Sequence, residues 1–322
     1  MMPFEISDTP CADVDVVVVD ANNLLYRMGH MAGGETCMPT IVEFVKKLLM
    51  IRSWYEAEPH VCWEGLANGA DNWRFEIHPQ YKGQREPSEL SRKVKRAQQI
   101  LKKLLCHTNI AQWDGIKGEG DDIMATVAKK LEREGKSVGI YSTDRDLLQL
   151  ASEKITLIVP QRNASDMALG PREVVEVTGL LPRFVPHVKA LVGDVGDNIP
   201  GVSGIGKKLA TELIRHHGSV HAVIEAAKAE DLDRQECETK KAYKERLKEE
   251  WGSTESKREL VKQYEAQALM SFEVGGIRDD LEVFCVPDSP TSKIELQTIL
   301  EDLGAYELFS PVRLNNITQV AI

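Results

Sequence analysis

Val14-Asp15-Val16-Val17-Val18-Val19 is a β-branched run that ends on Asp20. A short apolar run without alternation suits a strand covered on both faces, which is the situation inside a parallel sheet. Further strand candidates are His60 to Trp63, Ile110 to Trp113, Val138 to Tyr141 and Ile155 to Val159. Helical stretches at about 40–55, 88–106, 121–134, 171–179, 182–192 and 206–217 fall around them. This alternation predicts an α/β fold with a parallel sheet whose first strand is central. Ligands of such sheets gather beyond the carboxyl ends of the strands, where Asp20, Glu64, Asp144 and Asp146 fall.

The chain has 322 residues, 42% of them hydrophobic, enough for one large domain or two modest ones. The expected division is an α/β core over 1–180, with a basic region at 73–106, and a mainly helical part over 181–322. The second part is expected to hold a hairpin element at 182–217 and a charged segment at 227–264, which reads as exposed helices or an insertion without chemistry. A short amphipathic helix is expected at 296–309. No apolar run is long enough to span a bilayer, and Met1 to Pro10 holds acids and prolines where a leader would be basic and then apolar, so a cytoplasmic protein is expected, and with it a monomer. Six cysteines without a CxxC pair suggest neither zinc nor a disulfide framework.

The acids are grouped. Glu119 and Asp122 stand three apart at a helix start, Asp144 and Asp146 two apart beyond a strand, and Asp194 and Asp197 three apart in a loop, with Asp121 beside the first pair. Any one group has an ordinary explanation as a helix cap or turn. Their convergence on one sheet edge does not, because two carboxylates about 6 Å apart at a dielectric near 20 repel by roughly 3 kcal/mol. Oxygen ligands without His or Cys point to two Mg²⁺ ions, with Mn²⁺ able to substitute. Such a pair serves phosphodiester hydrolysis.

A net charge of −10 would argue against a polyanionic partner, but the charge is unevenly spread. Arg92, Lys93, Lys95, Arg96, Lys102 and Lys103 form a basic stretch. Just before it, Lys82 and Arg85 can oppose charge on a scissile phosphate, and Tyr81 or Trp73 can stack on an unpaired base. A solvated basic loop with aromatic anchors is the plain alternative. Gly201-Val-Ser-Gly204-Ile-Gly206-Lys207-Lys208 follows the P-loop pattern as far as Lys207, but Lys208 replaces the magnesium-binding hydroxyl and no strand precedes it. Two helices joined by a glycine turn, whose amides and Lys207 or Lys208 receive a DNA phosphate, fit better.

VVVVDANNLLYR, WRFEIHPQYKGQR, GEGDD, YSTDRDLLQL and LVGDVGDNIPGVSGIGKKLA occur in that order between Val14 and Ile224. Together they resemble the 5′-nuclease superfamily of flap endonucleases and 5′–3′ exonucleases, of the phage and bacterial polymerase I type. The resemblance implies a PIN/SAF-like core, a helical arch over the site and a helix–three-turn–helix element. It places Asp20, Glu64, Glu119, Asp121 and Asp122 at a first metal region, and Asp144, Asp146, Asp194 and Asp197 at a second. It makes Lys82 and Arg85 the catalytic basic pair and Arg27 and Arg74 substrate contacts. Gly201, Gly204 and Gly206 become the phosphate-binding hairpin, with a potassium ion there. Glu64 departs from the family's usual Asp, and Ala21 replaces a common Gly.

The expected function is a structure-specific 5′ nuclease acting on DNA with a single-stranded 5′ end or flap, or on an RNA–DNA hybrid, alongside replication proteins. Rival readings are a PIN-type ribonuclease, which should lack the hairpin, and a non-catalytic DNA-junction binder, which should have lost acids or basic residues.

Overall fold

The valine run becomes β1 (Val16–Asp20), buried at every position. The computed structural model describes residues 11–286 apart from 33–35, 65–71, 107, 163, 230–231, 234 and 236–237, so the helix expected at 296–309 lies outside the described residues. After β1 come α1 (Ala21–Ala32), α2 (Met38–Tyr55), β2 (Glu58–Cys62), α3 (Trp73–Ile77), α4 (Glu89–Leu105), β3 (Ala111–Gly115), α5 (Gly120–Arg133) and β4 (Val138–Tyr141). A 3-10 turn at Asp146–Leu150 leads to β5 (Ile155–Val159), β6 (Met167–Leu169) and α6 (Pro171–Thr178). A second 3-10 turn at Pro182–Phe184 precedes α7 (Val185–Val192), α8 (Lys207–His217), α9 (Val220–Lys228), α10 (Lys240–Glu250), α11 (Glu255–Gln263), α12 (Glu265–Gly275) and β7 (Val283–Val286).

The sheet order is β6-β5-β4-β1-β2-β3-β7, with β1 central as expected. β5, β4, β1, β2 and β3 are mutually parallel, whereas β6 and β7 join the two edges antiparallel. The all-parallel expectation is thus corrected at its edges. β6 has three residues and β7 pairs with a strand some 170 positions upstream, so neither announces itself locally.

Alternate valines of β1 serve opposite layers. Val17 and Val19 pack with α1, α2 and α4 side chains such as Leu25, Phe44 and Leu101, while Val16 and Val18 pack with Ile123, Val127 and Leu147. The basic helix α4 buries Val94, Ala97, Leu101, Leu104 and Leu105 and leaves Arg92, Lys95, Arg96 and Lys103 outward. It is therefore seated on the core for its whole length, and the expected arch takes the form of a wall beside the site. A third core gathers α7 to α12 around Leu213, Trp251 and Val261. The charged 227–264 segment takes part in it, since Leu247, Trp251 and Arg258 are buried, the last held by the carbonyls of Ala227 and Ala229 at 2.8 and 2.6 Å.

Two glycines shape the loop between α7 and α8. Gly193 and Gly201 have φ of 79° and 62°, and a Cβ on Gly201 would lie 2.3 Å from the Gly193 nitrogen. Only bare backbones can meet there. The clasp closes a short loop in which Asp194 and Ile199 exchange amide bonds of 2.7 and 2.8 Å.

Candidate active site

Parallel strands deliver their last residues to one edge, and chain order reverses between β1 and β4, which opens a crevice there. Asp20 ends β1, Glu64 follows β2 by two residues, Glu119 and Asp121 follow β3 at the start of α5, and Asp144 and Asp146 follow β4. The clasped loop brings Asp194 and Asp197 alongside.

Burial, with Asp144 and Glu64 adding repulsion, lifts Asp20 from 3.8 to about 6, although Ser142 and the Asn23 amide hold its carboxylate. Burial also drives Asp121 well up, with repulsion from Asp144 and then Asp20 adding to it. Glu64 is raised by burial and then by Glu119, and it accepts from Asn22 Nδ2 at 2.5 Å. Asp144 acts on Asp20, Asp121 and Asp146 alike, so it stands between the two groups. Asp146, Asp194 and Asp197 each bring an oxygen within 4.8 Å of the others. Burial outweighs the Lys189 ammonium at Asp146, which is raised. At Asp194 burial pulls upward too, but Lys189 and backbone amides carry the net shift down.

Lys82 Nζ reaches Glu119 at 2.7 Å, and the guanidinium of Arg85 pairs with Asp197. Their segment is tied to the clasped loop by Lys82 N to Asp197 O at 3.0 Å and Asn198 Nδ2 to Gln80 O at 2.6 Å. Each member of the basic pair thus sits on one carboxylate group, as a counter-charge that a phosphate could take over.

Several expected roles need correction. Asp122 is fully buried and turned from the cluster, engaged by Arg74 at 2.5 and 2.9 Å, Trp73 Nε1 at 3.3 Å and the amides of Glu119 and Arg278 at 3.0 and 2.9 Å. It has no face left for a metal. Arg74, 3% exposed, spends its other donors on the carbonyls of Val274 and Gly276, so it is a structural clamp and not a DNA contact. Tyr81 and Trp73 are likewise buried, and the Tyr81 hydroxyl donates toward Glu119 and Asp197 at 3.0 and 3.3 Å, so neither ring is free to stack on a base. Arg27 contacts the Pro160 carbonyl at 3.3 Å just past β5.

Gly201, Gly204 and Gly206 line the turn between α7 and α8. Gly206 caps α8, and Gly204, Gly206, Lys207 and Lys208 are exposed. The Gly204 carbonyl accepts from Lys257 Nζ at 2.7 Å, which ties this turn to α11.

Sequence reasoning missed Asn22, Ser142 and Lys189. Ser142 Oγ donates to Asp20 at 2.7 Å and accepts from the Asp144 amide at 3.0 Å, linking the strand ends on either side of the crevice. The polar residues flanking Asp20 and Asp144, and one lysine in the apolar Val185–Val192 helix, were the available signals.

The donor set suits divalent cations. It is all oxygen, and several carboxyls are raised by burial and mutual repulsion that cations would relieve. A carboxyl whose folded value exceeds its unfolded one stabilises the fold while protonated, and that contribution is lost as pH rises through the folded value. Metal-free protein should therefore lose stability between about pH 4 and 7, on the order of 3 kcal/mol from Asp20 at about 1.4 per unit. Melting curves in EDTA across that range should fall, and saturating Mn²⁺ should flatten the fall. A flat curve in EDTA would remove the strained-carboxylate reading.

Among the described residues, no helix is long and apolar enough to cross a membrane. Residues 15–179 match the family described as 5′-3′ exonuclease, N-terminal resolvase-like domain, and residues 180–289 the 5′-3′ exonuclease, C-terminal SAM fold. DNA polymerase I of Bacillus subtilis is 30% identical over 274 residues, 83% of this chain and 28% of that protein. DNA polymerase I of Mycobacterium bovis is 35% identical over 221 residues, 65% of this chain and 24% of that protein. The chain thus spans about a quarter of the length of these relatives. The T5 D15 protein co-crystallised with metal ions shares the fold at a TM-score of 0.57 and 20% identity, covering 94% of this chain and 97% of that one. The catalytic core of Rad2 in complex with DNA substrate does so at 0.58 and 15%, covering 95% and 92%. With both halves matched in order by its two domains, and with the acidic edge formed where those halves meet, the chain belongs to the 5′-3′ exonuclease family.

Proposed function

We propose that this chain is a structure-specific 5′ nuclease that hydrolyses phosphodiesters in DNA bearing a single-stranded 5′ end or flap, with RNA–DNA hybrid as a second substrate. The observation that carries this reading is the meeting of two carboxylate groups at one sheet edge with Lys82 and Arg85 set on them. Asp20, Glu64, Glu119, Asp121 and Asp144 would hold one Mg²⁺, and Asp146, Asp194 and Asp197, with Asp144 between, the other. Bound there, the cations supply Lewis-acid activation of water and neutralise charge at the phosphate. Lys82 and Arg85 release their carboxylates to meet the phosphate oxygens, and charge-assisted bonds orient it. The hairpin at Gly201 to Lys208 takes the duplex backbone through exposed amides and lysines without reading bases. A potassium ion at the same turn is part of the proposal, with Lys257 already on the Gly204 carbonyl. Removal of primers or flaps in replication follows from this substrate choice.

The test is cleavage of a 5′-labelled flap and an RNA–DNA hybrid in Mg²⁺ or EDTA, with wild type and Lys82→Ala. Cutting in Mg²⁺ alone is expected, slowed about 100-fold in the variant, the usual cost of one lost donor to a developing charge. Product lengths separate flap from exonuclease action. Binding without cutting in every metal would favour a junction-binding protein.

A further inference from the structure

Lys189 arises from α7, a helix otherwise apolar in its last turns, and its side chain is 10% exposed. Its ammonium lies 2.5 Å from Asp146 Oδ2, 2.9 Å from Asp194 Oδ2 and 3.9 Å from Asp197 Oδ2. These are the same three carboxylates whose oxygens converge. The stem is housed as well as the head. It runs over Gly275 at the end of α12, where a Cβ would stand 3.3 Å from Lys189 Cδ and 3.4 Å from Cγ. A bare backbone at that point gives the stem its groove, and the ammonium donates to Asp146 and Asp194 with Asp197 as a longer ion pair.

We propose that Lys189 is the largely buried counter-ion of the second carboxylate group, beside the exposed Arg85 on Asp197, so that a divalent cation entering there must displace it or share its ligands. The proposal rests on the metal reading above and adds an order to it. The first group, in which Lys82 and Arg74 reach Glu119 alone, at 2.7 and 3.9 Å, fills first. The second group fills weakly while the ammonium remains. A phosphate oxygen offers the ammonium another partner, and by linkage substrate and the second cation then strengthen each other's binding. Lys189 is in this sense a positioning residue, since it acts through the ligands it holds.

The experiment is a titration of substrate-free protein with Mn²⁺, free ion being followed by its electron paramagnetic resonance signal. Wild type should show one tight and one weak class of site. Lys189→Met removes the charge, and Lys189→Gln keeps much of the length and a polar head, so that a folded variant is available if the methionine form is not. In either variant the weak class should tighten at least tenfold, with the tight class changed less than twofold. A weak class unchanged or loosened beside an intact tight class would overturn the counter-ion role alone. Absence of Mn²⁺ binding in every form would instead overturn the metal reading on which it rests.

Discussion

Asp144→Asn should slow flap cleavage by at least about 1,000-fold while raising the melting temperature of the metal-free protein. Both effects come from one position. Asp144 follows β4 and presses on Asp20, Asp121 and Asp146, so it borders both carboxylate groups. Metal charge stabilisation is worth several kcal/mol, and each 1.4 kcal/mol or so of barrier is a factor of ten. An amide at that point weakens the hold on cations from both sides. Without cations the same change removes a repelling charge, the familiar opposition of stability and activity at a built site. Single-turnover cleavage in Mg²⁺ and melting in EDTA would check the pair. Cleavage within tenfold of wild type would remove Asp144 from the centre of the site, whatever the melting temperature did.

Arg74→Ala should cost about 3 to 5 kcal/mol of stability, because it leaves Asp122 as an uncompensated buried charge. The guanidinium joins three parts of the chain: α3, the start of α5 through Asp122, and the end of α12 through two carbonyls. Urea unfolding measures the loss. Arg74→Lys should recover only part of it, since an ammonium cannot reproduce the bidentate fork. A loss below about 1 kcal/mol accompanied by weaker DNA binding would restore Arg74 to the role its sequence motif suggested.

The contrast between Asp121 and Asp122 explains what could be read beforehand and what could not. The gathering of acids at strand ends was legible, because buried strands announce themselves and parallel strands share an edge. Which acid faces the edge depends on helix register. Spacing favoured Glu119 with Asp122, three apart on one face, but α5 starts only at Gly120. Glu119 is therefore the cap residue, and Asp122 turns back to accept its amide, the reciprocal half of a capping box. Asp121, one step round the helix, is the residue that senses Asp20 and Asp144.

Distance along the chain hid the rest. Lys189 reads as one more lysine until Asp146, 43 positions earlier, is placed against it. Arg258 reads as surface charge within a polar segment, yet it is buried because carbonyls some 30 residues upstream receive it. In both cases a charge is taken indoors by partners that no local pattern contains. The basic helix α4 misled in the opposite direction, since its charges drew attention from the apolar stripe that seats it.

Residues 274 to 286 carry a consequence for synthesis. They give Arg74 two of its carbonyl partners, give Asp122 the Arg278 amide and Thr126 the Leu281 amide, and close the sheet with β7 beside β3. Every acid of the site lies upstream of them, the last being Asp197. A chain emerging from the ribosome therefore carries all its acids well before the segment that braces the start of α5 and covers the open edge of β3. Such an edge is prone to pair with other strands until it is covered. Until residues 283–286 have been made, the β3 edge has no partner on that side and the start of α5 lacks the Arg278 amide.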